Sequence, residues 1–295
     1  MERLFTAIPT PFINGKIDYL SLEKLINIQI DNNVEAIVLS GSTGEVHSLS
    51  KDEWRELIQF AKKFQEKISI VTGISANITS HAVEYAKIAD KMNIKYILVT
   101  TPYYNKPQQE GLYEHFKCIC KAVSNTKIIL YNVPSRTVTD LQNETIKRLI
   151  NDFPQIVALK DATGKLERVC DLKHKLSNIK RSFTILSGDD ATQIGFNAMG
   201  GEGVVSVVSN VAPKLCKNIQ DACKNNDYKL ALRYQNDLFT ISNALFCETN
   251  PVPVKYLLYK LNIFKSPECR LPLVELSNKN KDLIDKTLLN LKCLL

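Results

Sequence analysis

Short apolar runs recur along this chain at intervals of roughly 25 to 35 residues, the repeat length of a strand plus a covering helix. The runs are Leu4–Ala7, Ala36–Leu39, Ser69–Thr72, Tyr96–Val99, Ile128–Tyr131, Ile156–Lys160, Thr184–Ser187 and Gly203–Ser206. They are mostly apolar rather than alternating, as expected of strands covered on both faces. Helical spacing fills the intervals. Leu20–Asn32 places Leu22, Leu25, Ile26 and Ile30 on one stripe, and Asp52–Gln65 follows a start signal at Ser50. Ser80–Met92, Gly111–Val123 and Thr145–Asn151 repeat the theme. Strand–helix alternation implies parallel βαβ units, and eight of them predict a closed (β/α)8 TIM barrel of the α/β class. An open doubly wound sheet is the structural alternative, but no G-x-G-x-x-G follows the first strand. Past Asn225 the strand signal stops. Tyr228–Phe246, Val254–Leu261 and Lys279–Leu291 read as helices separated by Pro251, Pro253, Pro267 and Pro272. The expected division is a catalytic barrel over residues 1–225 and a C-terminal helical extension, packed on the barrel, over 226–295.

Composition narrows the chemistry. Of 295 residues, 44% are hydrophobic and 23% charged, the balance of a soluble globular protein with a substantial core. The net charge of +7 comes from scattered lysines, often beside acids as in Lys51-Asp52-Glu53. No basic run with interleaved aromatics is present, so no nucleic-acid partner is expected, and the positive balance instead favours an anionic substrate. The eight cysteines form no C-x-x-C, their nearest pairs being Cys118-x-Cys120 and the more distant Cys216 and Cys223. With the four histidines far apart, neither a metal site nor a cofactor is expected, and the thiols read as small buried hydrophobes in a reducing compartment. The opening MERLFTAIPTPF lacks the apolar stretch of a signal peptide, and no run approaches the roughly 18 apolar residues of a membrane span. A cytoplasmic protein without membrane association is the expectation.

Barrel enzymes carry their chemistry at the C-terminal ends of the strands. The sixth run ends in Lys160, a lysine closing four apolar residues. Desolvation at such a place favours the free amine, the form that attacks carbonyls; the alternative is a snorkelling lysine paired with Asp161 or another acid. The fifth run ends in Tyr131, able to relay protons to a carbinolamine on Lys160, or else a core tyrosine with a satisfied hydroxyl. Arg136, in the loop beyond, offers a planar fork for a carboxylate, with a structural ion pair as the alternative. The second run leads into Gly41-Ser42-Thr43-Gly44-Glu45, whose exposed N–H groups suit a carboxylate, although many βα turns look alike. The seventh leads into Gly188-Asp189-Asp190, where a glycine lets substrate approach the backbone. The fourth leads into Thr101-Pro102-Tyr103-Tyr104-Asn105, with two aromatics on a loop. Jointly these place an amine, a phenol, hydroxyls, an anion-binding turn and a guanidinium on one rim, which suits carbonyl condensation.

These motifs, in order and nearly end to end, resemble the dihydrodipicolinate synthase / N-acetylneuraminate lyase family of class I aldolases. The resemblance rests on TAIPTPF at the start, GSTGE at 41–45, TPYYNKPQQEGLYEHF at 101–116, YNVPSRT at 131–137, LKDATG at 159–164, LSGDD at 186–190, GGEGVVSV at 200–207 and NPVPVK at 250–255. It implies a lyase in which Lys160 forms a Schiff base with pyruvate. Tyr131, Ser42 and Tyr104 would form the proton relay, Tyr104 being inserted from a neighbouring subunit. Thr43 would hold the pyruvate carboxylate, Gly188 and Val205 would line the pocket through their backbones, and Arg136 would bind the carboxylate of the second substrate. In the synthase branch that substrate is L-aspartate 4-semialdehyde, and cyclisation gives 4-hydroxy-tetrahydrodipicolinate on the way to diaminopimelate and lysine. The family further implies a homotetramer built from tight dimers.

Two departures from the family pattern stand out. Ser42 replaces a threonine frequent among the synthases, and GSTGE occurs in the sialic acid lyases; Arg136, which those lyases lack, favours the synthase over an aldolase acting on N-acetylneuraminate or a 2-keto-3-deoxy sugar acid. A non-catalytic barrel would be expected to lack at least one of Lys160, Tyr131 and Ser42. In lysine-inhibited members an interface site binds the effector, and Asn77 and Tyr103 match it. However, His81 stands where those members have glutamate, and Trp54 where they have histidine or glutamate. Losing the counter-charge for an ammonium predicts weak or absent inhibition by lysine.

Overall fold

The computed structural model describes residues 3–291. Eight parallel strands follow one another in chain order around a closed barrel: Leu4–Ala7, Ala36–Leu39, Ser69–Ile74, Tyr96–Thr100, Lys127–Asn132, Ile156–Asp161, Thr184–Ser187 and Val204–Ser206. Closure rules out the open doubly wound sheet. Each expected apolar run is a strand, several of them longer at the C-terminal end than their apolar residues suggest. A two-stranded hairpin, Phe12–Ile13 with Lys16–Ile17, follows the first strand and is too short to show in the apolar pattern.

The residues group into two compact units. The first, Ile70–Val205, contains the ladders between the fourth, fifth, sixth and seventh strands. Tyr96–Thr100 pairs in register with Lys127–Tyr131, and that strand pairs with the sixth so that Tyr131 lies opposite Lys160 and Asn132 opposite Asp161. Leu186 then lies opposite Lys160 on the far side. The ladder residues Ile97, Leu98, Ile129, Leu130, Ala158, Leu159 and Ile185 are all buried, and full burial of a large aliphatic side chain contributes about 1.5–3 kcal/mol. The covering helices include Thr79–Lys91, Gln109–Ala122 and Asn143–Asp152, close to expectation, and Glu167–Lys175 and Gln193–Ala198, which the sequence pattern does not reveal.

The second unit is formed by the described residues before Ile70 and after Val205. Its first strand pairs with Ala36–Leu39 and is anchored by Glu35, whose carboxylate accepts the N–H groups of Arg3 (2.6 Å) and Leu4 (2.9 Å). Helix Tyr19–Asp31 begins where Asp18 accepts two backbone N–H groups, and helix Lys51–Ala61 begins with a capping box between Ser50 and Glu53. Helices Pro213–Lys224, Tyr228–Ala244, Val252–Lys260 and Asn278–Leu291 complete this unit. The outermost residues of the expected division, 1–2 and 292–295, lie outside the described residues. No helix among the described residues is long and apolar enough to cross a membrane.

Candidate active site

In the first unit the sixth strand delivers Lys160 to its C-terminal end, 7% exposed, with its Nζ 4.3 Å from the centre of the Tyr131 ring. Pairing with Asp161, the alternative raised by the sequence, does not occur. Asp161 is itself buried and accepts from the Thr163 N–H (2.8 Å), the Thr163 hydroxyl (2.6 Å) and Arg168 Nε (3.2 Å). Among the described residues Lys160 has no ion-pair partner, and the Tyr131 hydroxyl has no hydrogen-bond partner. Tyr131 is therefore not a core tyrosine with a satisfied hydroxyl. The two side chains form an amine–phenol pair set by the ladder itself.

Gly188 closes this cluster from the next strand. Its N–H donates to the Asp161 carbonyl (2.7 Å). A Cβ at this position would lie 2.6 Å from the Ala162 Cβ and 3.1 Å from the Lys160 Cε. Only glycine lets the backbone after the seventh strand run alongside the lysine stem. Val205, one residue past the Val204–Ser187 register pair, is buried in the eighth strand.

Arg136 and Tyr104 lie on two loops of the same unit that are tied together. Arg136 belongs to a one-turn helix, Pro134–Thr137, rather than an irregular loop, and is exposed. The Tyr104 N–H donates to the Thr137 carbonyl (3.3 Å), and the Thr101 hydroxyl donates to the Thr137 hydroxyl (3.3 Å). Tyr104 adopts a positive φ of 74°, uncommon for a bulky residue, and its side chain is 86% exposed.

In the second unit the turn after the Ala36–Leu39 strand contains Ser42 and Thr43. It is closed by the Glu45 N–H donating to the Ser42 carbonyl (3.2 Å) and the Val46 N–H to the Gly41 carbonyl (3.3 Å). Ser42 is half-buried; Thr43 is buried and its hydroxyl accepts from Asn250 Nδ2 (2.9 Å). At Gly44 a Cβ would stand 2.8 Å from the Ser40 nitrogen, so the turn cannot fold this tightly around a larger residue. Glu45, 5% exposed, forms an ion pair with the fully buried Lys255, and its other oxygen accepts the Arg270 N–H (2.9 Å). Burial pushes the Lys255 ammonium below the ordinary lysine range, against the pull of Glu45. The Arg270 guanidinium bridges to Glu53 and to the Ser48 carbonyl (2.8 Å).

Sequence reasoning does not single out Asn250, Lys255 and Arg270 as site residues, although NPVPVK contains two of them. Their link to the turn crosses more than 200 positions, and nothing in local patterning reports it. Among the described residues no cluster of three or more His, Cys, Asp or Glu side chains is placed to hold a metal ion.

The model of the dihydrodipicolinate synthetase family matches residues 1–291. The chain belongs to that family. It is 43% identical, over 98% of its length and 97% of the relative's, to a 4-hydroxy-tetrahydrodipicolinate synthase of Bartonella bacilliformis. To the protein of that name from Rickettsia bellii it is 44% identical, over 98% and 96%. Among solved structures, the chloride-inhibited dihydrodipicolinate synthase of Acinetobacter baumannii complexed with pyruvate superposes with a TM-score of 0.93 at 37% identity, covering 99% of both chains. The enzyme from Cyanidioschyzon merolae with lysine bound gives 0.92 at 30% identity, over 99% of this chain and 98% of that one.

Proposed function

We propose that this chain is a 4-hydroxy-tetrahydrodipicolinate synthase, joining pyruvate to L-aspartate 4-semialdehyde through a Schiff base on Lys160. The observation that carries this reading is the buried amine of Lys160 beside the Tyr131 phenol with no carboxylate pairing to it. The names of its relatives agree with it. The neutral amine adds to the pyruvate carbonyl carbon, and loss of water leaves the imine. Removal of a methyl proton gives the enamine, whose carbon attacks the aldehyde. The amino group of the second substrate then closes the ring onto the former carbonyl carbon and releases Lys160, one water being lost overall.

Tyr131 and Ser42 move protons in these steps, and Tyr104, exposed on its own chain, completes the relay of a neighbouring subunit in a homotetramer of tight dimers. Thr43 and the N–H groups of its turn bind the pyruvate carboxylate, the main chain at Gly188 and Val205 lines the pocket, and Arg136 binds the carboxylate of the aldehyde substrate. The reaction belongs to a soluble, cytoplasmic lyase of lysine and diaminopimelate biosynthesis.

Borohydride reduction with pyruvate, followed by peptide mass analysis, tests the reading. A pyruvate-sized adduct is expected on Lys160 and absent in Lys160→Ala; no adduct on the unmodified chain would remove every Schiff-base mechanism. Arg136→Ala separates the branches: trapping persists while KM for aspartate semialdehyde rises at least about tenfold, as for loss of a charge-assisted bidentate contact. Unchanged kinetics with that aldehyde, or faster turnover of a sugar acid, would transfer the chain to a sister aldolase.

A further inference from the structure

Arg168 touches none of the groups assigned a chemical role, yet it joins the ends of both strands that carry them. Its Nε donates to Asp161 (3.2 Å), one guanidinium nitrogen to Asp140 (3.2 Å) and the other to the Leu141 carbonyl (2.9 Å). Asp140 in turn accepts from Asn132 Nδ2 (2.8 Å), and Asn132 Oδ1 accepts the Leu141 N–H (2.9 Å). Asn132 follows Tyr131, Asp161 follows Lys160, and the two pairs stand opposite each other in the same ladder. The network thus lies one residue beyond the amine–phenol pair. Of its two acidic members, Asp161 is 5% exposed and Asp140 42%, and the Arg168 side chain that faces both is 14% exposed.

A buried carboxylate next in the chain to an amine nucleophile is a hazard for the chemistry. Uncompensated, its field in a poorly solvated site favours the ammonium and withdraws the lone pair. The other titratable groups flanking Lys160 in this unit are Tyr131 across the ladder, and Asp189 and Asp190 on the turn after Gly188. Asp189 is engaged by the Ala191 N–H (3.1 Å) and the Thr192 hydroxyl (2.6 Å). Asp161 meets the guanidinium of Arg168.

We infer that Arg168 is a positioning residue for the Schiff-base step: by neutralising and orienting Asp161 it keeps that carboxylate from serving as the counter-ion of Lys160. The inference rests on the proposed role of Lys160. Its fork matters because Asp161, Asp140 and the Leu141 carbonyl are met by three separate nitrogens of one plane, a spread that the single nitrogen of an ammonium does not offer.

The test is the rate of borohydride-trapped adduct formation with pyruvate at neutral pH. Wild-type trapping establishes the Schiff base independently of Arg168. Arg168→Met is expected to slow trapping at least about tenfold, since Asp161 then lacks its compensating charge. Adding Asp161→Asn in the same chain is expected to restore the rate to within about threefold, because the amide oxygen introduced there still accepts from Thr163 while the charge is gone. A merely structural arginine would not be rescued in this way, since its bonds to Asp140 and Leu141 stay lost. Wild-type trapping in Arg168→Met, or a double variant as slow as the single, would overturn the inference. If Arg168→Met does not fold, Asp161→Asn alone decides: a rate within about threefold of wild type supports the assignment, and a tenfold loss defeats it.

Discussion

At the scale of single residues, Gly188 shows how little room the lysine has. A methyl group there would collide with the Ala162 Cβ at 2.6 Å and crowd the Lys160 Cε at 3.1 Å. Overpacking of this kind costs about 1–3 kcal/mol, and displacing a reacting group by an ångström can cost about a hundredfold in rate. Gly188→Ala is therefore expected to remain folded but to lose at least about tenfold in trapping by pyruvate and borohydride; unchanged trapping would show that the lysine stem moves freely. The sequence made Lys160 and Tyr131 legible because each closes an apolar run at a strand's C-terminal end. It could not show that Asp161, the nearest acid in the chain, is already held by Arg168 and Thr163. Residue types report what a side chain can do, and only packing decides which partner it takes.

At the scale of elements, the apolar runs revealed all eight strands because burial on both faces leaves little polar signal to confuse. Several helices escaped, two of them for the opposite reason. Glu167–Lys175 buries only Val169 and Leu172, and Gln193–Ala198 is six residues long with Gly195 inside. Helix Val252–Lys260 is legible in the sequence, but its reach to the turn at 41–45 through Lys255 is not. Lys255→Met leaves Glu45 buried without its counter-charge and is expected to destabilise the fold by about 3–5 kcal/mol, measured by chemical denaturation. Glu45→Gln in the same chain should recover much of that loss, and a double variant no more stable than the single would refute the ion-pair explanation.

Helix Gln109–Ala122 carries a second buried group. Burial holds the His115 imidazole down to about 4, and its Nδ1 lies 3.0 Å from the Thr79 hydroxyl of helix Thr79–Lys91. The folded value lies below the ordinary histidine value of about 6.5, so the unfolded chain binds protons more readily between those limits. The stability associated with neutral His115 is complete above about pH 6.5 and lost as pH falls toward 4, amounting to about 3 kcal/mol across the window. His115→Gln should flatten that part of the stability–pH curve, and an unaltered slope would assign the loss to other groups.

At the scale of the whole molecule, the expectation about lysine turns on two side chains. His81 is exposed and Trp54 is 1% exposed within helix Lys51–Ala61, so neither supplies a carboxylate to an effector's ammonium. Lysine is expected to leave turnover unchanged up to about millimolar concentration, as expected when a charge-assisted hydrogen bond is missing. Sub-millimolar inhibition in a steady-state assay would contradict this.

The grip of Asn250, Lys255 and Arg270 on the turn at 41–45 also bears on how the protein matures during translation. The turn leaves the ribosome early, whereas its anchors follow more than 200 positions later. A nascent chain therefore makes this turn long before the side chains that fix its final shape exist.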